Sequence, residues 1–133
     1  MKNDYLIKRT TTTALDEVCR RLPEITQRHK FGVLGVHDLK EKMTSKGVAF
    51  DRECRVFEVC NPQQANEILN RSMEISTVLP CRISVYQEGG RTVIAAIKPT
   101  LLLGLFDVPG AAAAAKEVEE TMTKIIEEAT RSM

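Results

Sequence analysis

Cys60 and Cys81 are the residues whose type and setting point most directly to chemistry. Cys60 ends the run RECRVFEVC, residues 52–60, and Asn61-Pro62 follows at once. Cys81 sits at the start of LPCRISVYQ, residues 79–87. Asn-Pro is a helix start: Asn accepts a first-turn N–H, and Pro at the next position loses no bond. A thiol placed just before such a start faces unpaired N–H groups, which favour thiolate, the form that attacks or binds metal. Asn61 competes for the same donors, so the expected lowering of the Cys60 pKa is modest. Two readings stand side by side. One is a reactive thiol pair for redox sensing, sulfur transfer or soft-metal binding. The other is two small apolar residues filling a core, where free cysteine commonly lies.

The other chemistry-bearing types are sparse. Cys54 shares strand parity with Cys60 and is placed to join it, while Cys19 lies beside an apolar helical stripe and reads as core. His37-Asp38 closes the run FGVLGVHD and offers a base or a ligand, against the plainer reading of a satisfied or exposed histidine. With only two histidines, His29 and His37, a catalytic zinc site is not expected. The chain lacks C-x-x-C, G-x-G-x-x-G, G-x-x-x-x-G-K and G-x-S-x-G. The paired acids of the last helix read as a solvated face. No catalytic set, resident metal or cofactor is indicated.

The elements that must hold these residues follow from periodicity. YLIK at 5–8 reads as a strand, and Thr10 to Thr13 as N-caps. Leu15, Val18, Leu22 and Ile25 form a helical stripe, with a kink or break expected at Pro23. FGVLGVHD is a strand, and DLKE a capping box opening a short helix that stops at Gly47. The strand 52–60 leads into a helix with Ala65, Ile68, Leu69 and Ser72 inward. LPCRISVYQ and RTVIAAIKP, joined through Glu88-Gly89-Gly90, form a hairpin. Ala111, Ala115, Val118, Met122, Ile125 and Ala129 make a narrow seam on a last helix over about 110–132. That seam packs on its own sheet or on a second copy. LLLGLF, residues 101–106, is too apolar for a free loop and reads as core, groove lining or subunit contact.

The order β-α-β-α-β-α-β-β-α predicts one α+β domain over 1–133, a mostly antiparallel sheet with helices mainly on one face. The 133 residues, 43% hydrophobic, suffice for a core. Net charge +1, from 19 basic and 18 acidic residues, argues against a nucleic-acid surface. No window is long and apolar enough to span a membrane, and MKNDYLIKRTTTT is not a secretory leader. A cytoplasmic protein with reduced cysteines is expected.

The pattern resembles the DUF302 family, small bacterial and archaeal domains. The resemblance covers roughly residues 5 to 100. It rests on Phe31, Gly32, Leu34 and Asp38; on EVCNPQQA, similar to a Cys-Asn-Pro-x-x-Ala element; and on LPCRISVYQ, similar to a Leu-Pro-Cys-Arg-x-x-Val-Tyr element. His37 departs from the acidic or hydrophobic residue usual before the Asp. The resemblance implies a compact TBP-like α+β fold, often dimeric, and no established activity. The expectation is a homodimeric binding protein holding a small molecule, a sulfur species or a soft metal at Cys60, Cys81 and Asn61, with His37 and Asp38 as further candidates. A thiol-dependent enzyme with Cys60 as nucleophile, and a purely structural or assembly subunit, are the alternatives.

Overall fold

A computed structural model describes residues 4–131 of the chain. Five strands and five helices follow one another: β1 (Leu6–Thr11), α1 (Leu15–Arg28), β2 (Gly32–Asp38), α2 (Leu39–Thr44), β3 (Cys54–Cys60), α3 (Pro62–Arg71), β4 (Cys81–Glu88), β5 (Arg91–Ile97), α4 (Pro99–Leu103) and α5 (Ala111–Ala129). A 3-10 turn, Met73–Val78, lies between α3 and β4. The sheet order is β1-β5-β4-β3-β2, and every neighbouring pair is antiparallel. The α+β class expected from the sequence is the class observed.

The hairpin forms as its sequence demands. Glu88 pairs with Arg91, leaving Gly89 and Gly90 as a two-residue turn at φ 58° and 78°. Only glycine takes two successive positive φ angles cheaply. Ser84 faces Ala95 and Val85 faces Ile94. The inward residues are therefore Ile83 and Val85 on β4 but Ile94 and Ala96 on β5. Val93 and Ala95 lie on the other face of the sheet and are buried as well.

The main core lies between the inner sheet face and helices α1 and α5. Leu22, Ile83, Val85, Ile94, Ile125 and Ile126 are all 0% exposed there. A second, smaller cluster gathers Ile68 of α3, Ile75, Leu103 of α4 and the alanines opening α5. The α5 seam is consumed inside the chain. Ala111, Ala115, Val118, Met122, Ile125 and Ala129 are all buried in these two clusters, which leaves no seam for a second copy.

Three local expectations are corrected. Thr10 and Thr11 belong to β1, and the α1 N-cap is Ala14, with no side-chain cap bond. The threonines tie the turn together instead: Thr11 Oγ1 accepts from the Thr13 N–H at 3.1 Å, and the Thr92 hydroxyl donates to the Thr13 carbonyl at 2.7 Å. α1 runs unbroken through Pro23. Leu22 and Ile25, on either side of it, are fully anchored in the core, and that packing outweighs the one lost bond. LLLGLF, finally, contains a further short helix, α4. Of the expected capping box at DLKE, Asp38 accepts from the Glu41 N–H at 3.0 Å.

Because the α5 seam is internal, Met122→Ala should cost about 2–5 kcal/mol by chemical denaturation. The same loss is expected at low and high protein concentration. A loss that vanishes when the protein is dilute would place the seam between copies.

Candidate functional site

The register of β3 and β4 decides where the thiols meet. Val59 lies opposite Cys81, so Cys60 is one residue further along β3, diagonal to Cys81. β3 ends at Cys60 because the chain turns there. Asn61 takes extended dihedrals, accepts the Gln64 N–H at 3.0 Å through Oδ1, and Pro62 opens α3. α3 then rises over the sheet end, and the chain returns to β4 through the 3-10 turn and a cis Leu79–Pro80 bond.

Between these segments lies a cleft with an empty volume of about 270 Å³, mouth included. Cys60, Cys81, Asn61 and Gln64 line it, with Phe31, Val59, Ile68, Leu79, Pro80 and Val118 among its apolar walls. The walls come from both cores: Phe31, Val59 and Val118 belong to the main one, Ile68 to the smaller one. The cleft is the seam where the two clusters fail to close on each other. Among the described residues, no charged one lines it.

Two features give the cleft its chemistry. The first is the protonation of the thiols. Burial pushes the Cys60 pKa up from 9.0. Burial, and secondarily the neighbouring Cys60, push Cys81 up to about 11. The expected lowering of Cys60 is therefore reversed: the Asn61 side chain takes the first-turn N–H, and the apolar walls penalise the charged form. Both thiols are neutral S–H groups at pH 7. The second feature is Gln64. Its Oε1 is buried and has no hydrogen-bond partner among the described residues. A buried carbonyl without a donor costs about 1–3 kcal/mol.

The remaining candidates lie elsewhere. His37 pairs in register with Val56, four residues before Cys60 on β3. Its Nε2 meets Glu58 at 3.3 Å, and its Nδ1 meets Lys42 at 2.9 Å. Asp38 caps α2 and sits 3.7 Å from Arg55, which also pairs with Asp16 at 2.8 Å. His37 and Asp38 are thus parts of two separate ion-pair networks, neither at the thiols. Cys54, at the far end of β3, contacts the Ser84 hydroxyl at 3.9 Å. Cys19 is buried beside Arg55, and burial raises its pKa. Among the described residues, no three His, Cys, Asp or Glu side chains gather as a metal site.

Gln64 is the site residue that sequence reading missed. Its signal was Asn61-Pro62-Gln63-Gln64, an N-cap followed three residues later by Gln, which reads as an ordinary capping box. Only the backbone half of that box forms.

The comparisons agree with this architecture. The sequence model of the family described as "Domain of unknown function DUF302" matches residues 7–129, so the likeness extends past residue 100 and takes in α5. The crystal structure of an uncharacterized conserved protein DUF302 from Bacillus stearothermophilus superposes with a TM-score of 0.90 at 33% identity, over 96% of this chain and 99% of that one. No curated protein matches. A family match over nearly the whole described chain, on the same fold, means that the protein belongs to the DUF302 family.

Proposed function

We propose that this protein is a small binding protein that holds an uncharged ligand or a sulfur species in the cleft between Cys60 and Cys81, and that it works as a homodimer in the reducing cytoplasm. The observation that carries the reading is the unpartnered Gln64 Oε1 in that cleft. It asks for a hydrogen-bond donor, and the two thiols supply weak donors and soft contacts around it. The uncharged apolar walls favour a neutral guest over an ion.

A soft metal fits less well. Two thiols give it two ligands, and each must lose a proton that burial holds tightly. The alternative of an enzyme with Cys60 as nucleophile meets the same obstacle: no lining side chain is a base that would take the thiol proton. A purely structural subunit would leave the Gln64 carbonyl unexplained.

Native mass spectrometry of the purified protein tests the binding reading directly. Retained mass is expected on the wild type and absent from Gln64→Leu. That substitution also removes an unsatisfied buried carbonyl, so it should leave stability unchanged or raise it by up to about 1 kcal/mol. A Gln64→Leu protein that loses more than about 1.5 kcal/mol while keeping the bound mass would refute the role given to Gln64.

The thiols carry their own pH signature. At pH 7, Cys81 should react with iodoacetamide at least about 100-fold more slowly than an ordinary exposed thiol, because its thiolate is so rare. Cys60 should label before Cys81. The raised pKa values also link to stability. The folded protein keeps protons that the unfolded chain releases above about pH 8.5. This contribution is fully present below that pH and is lost as pH rises toward about 11 for Cys81. Cys81→Ala should flatten the alkaline limb of the stability profile. Fast labelling of Cys81 at neutral pH would contradict its burial.

A further inference from the structure

The arginines of α1 have no part in the cores or in the thiol cleft. Arg20, Arg21 and Arg28 line a second cleft, with Glu24 on the same helix and Glu128 and Arg131 from the end of α5. Its empty volume is about 790 Å³, mouth included, larger than that of the thiol cleft. The sequence dictates the grouping. Arg20, Glu24 and Arg28 recur every four residues, and Arg21 and Ile25 make the neighbouring row, so all five share one side of α1. Arg131 stands two residues past the end of α5 and is exposed. Four arginines against two glutamates leave the lining with a charge of +2. Both glutamates are already engaged. Arg28 meets Glu24 at 3.3 Å and Glu128 at 2.6 Å, and His29 shares Glu128 at 2.6 Å. Glu17, outside the lining, holds Arg20 through two bonds. Arg21 is placed differently. Its Nη2 donates to the Glu128 carbonyl at 3.2 Å, the ordinary use of a cation at a helix C-terminus. That use leaves Nη1, which is buried and has no hydrogen-bond partner among the described residues. A charged donor buried without an acceptor costs more than a neutral one.

We propose that this cleft binds the phosphate group of a small molecule, with Arg21 and Arg131 as its principal holders. The charge fits. A lining of +2 matches a phosphoryl dianion better than a single carboxylate. The donors fit as well. Guanidinium groups present planar forks that grip two phosphate oxygens at once, and such charge-assisted bonds are about twice as strong as neutral ones. Ile25, the apolar residue of the lining, is 3% exposed, so the cleft offers a guest charge rather than apolar contact. The chain as a whole carries only +1, which gives no wider basic face for a polyanion such as a nucleic acid. The two clefts share no lining residue, so this site is independent of the ligand proposed at Gln64.

Isothermal titration calorimetry of the full chain with inorganic phosphate, methyl phosphate and acetate, at one ionic strength, tests it. Both phosphates are expected to bind at one site per chain, and acetate at least about 10-fold more weakly. Methyl phosphate binding more tightly than inorganic phosphate supports a phosphomonoester as the guest, and the reverse order supports free phosphate. Arg21→Gln should weaken phosphate binding by about 10-fold or more. Because Arg21 also holds the end of α5, a second variant is needed. Arg131→Gln, at an exposed position, should weaken binding by about 2- to 5-fold with an unchanged melting curve. Arg82→Gln, at an exposed arginine outside this cleft, should bind phosphate like the wild type. A wild type that binds neither phosphate, acetate binding as tightly as phosphate, wild-type affinity in Arg131→Gln, or an equal loss in Arg82→Gln would overturn the proposal.

Discussion

The pairing of Val59 with Cys81 is the contact on which the site depends. Antiparallel pairing fixes which residues oppose, and a slip of one residue would send every side chain of a strand to the other face. The register is set from both sides. Phe57 and Val59 on β3 and Ile83 and Val85 on β4 must all point into the core, and each is at most 2% exposed. With those four fixed, Cys81 points inward at the sheet end and Cys60 is the last residue of its strand. Cys81 follows the inward alternation, whereas Cys60 alternates away from it and reaches the same cleft because the chain turns at Asn61-Pro62.

The same ladder explains why a cleft exists there. α1 and α5 cover the inner face of the sheet, but α3 and the 3-10 turn belong to a separate cluster with α4 and the first turn of α5. Arg71 steadies that cluster by donating to the Pro109 carbonyl at 3.1 Å, and it crowds Gly110, whose φ of 83° starts α5. A side chain at Gly110 would collide with the Arg71 guanidinium. The two clusters meet along Phe31, Ile68, Leu79 and Val118, and close packing stops at Cys60 and Cys81. Interiors are normally filled to crystal density, so a gap at a junction of cores is a place where function has room.

Much of this was legible in the sequence. Strands β3, β4 and β5 and the Asn61 cap follow from alternation, turn chemistry and capping rules that act over a few residues. What failed depended on longer range. Pro23 reads as a break only until the packing of Leu22 and Ile25 is counted. The α5 seam reads as packing on its own sheet, with a second copy as the alternative, until the sheet that buries it is known. His37 and Asp38 are neighbours in sequence yet serve opposite sides of β2, because strand neighbours always do. The Cys60 pKa went the wrong way for a related reason. The helix-start rule sees the N–H groups but not the apolar walls contributed by Phe31 and Leu79, which are remote in the chain.

Those walls also bear on what kind of protein this is. A nucleophilic thiol needs a neighbouring charge or base that favours thiolate, and reactive cysteines sit in electropositive, partly open surroundings. The Cys60–Cys81 cleft has the opposite character: no charge, apolar walls, and a neutral amide oxygen without a donor. A buried carbonyl that gains a donor on binding recovers that cost. Binding would supply the missing hydrogen bond without creating a buried charge. Under the proposed reading the arrangement suits a neutral molecule better than covalent chemistry, and Gln64 rather than the thiols would hold the guest.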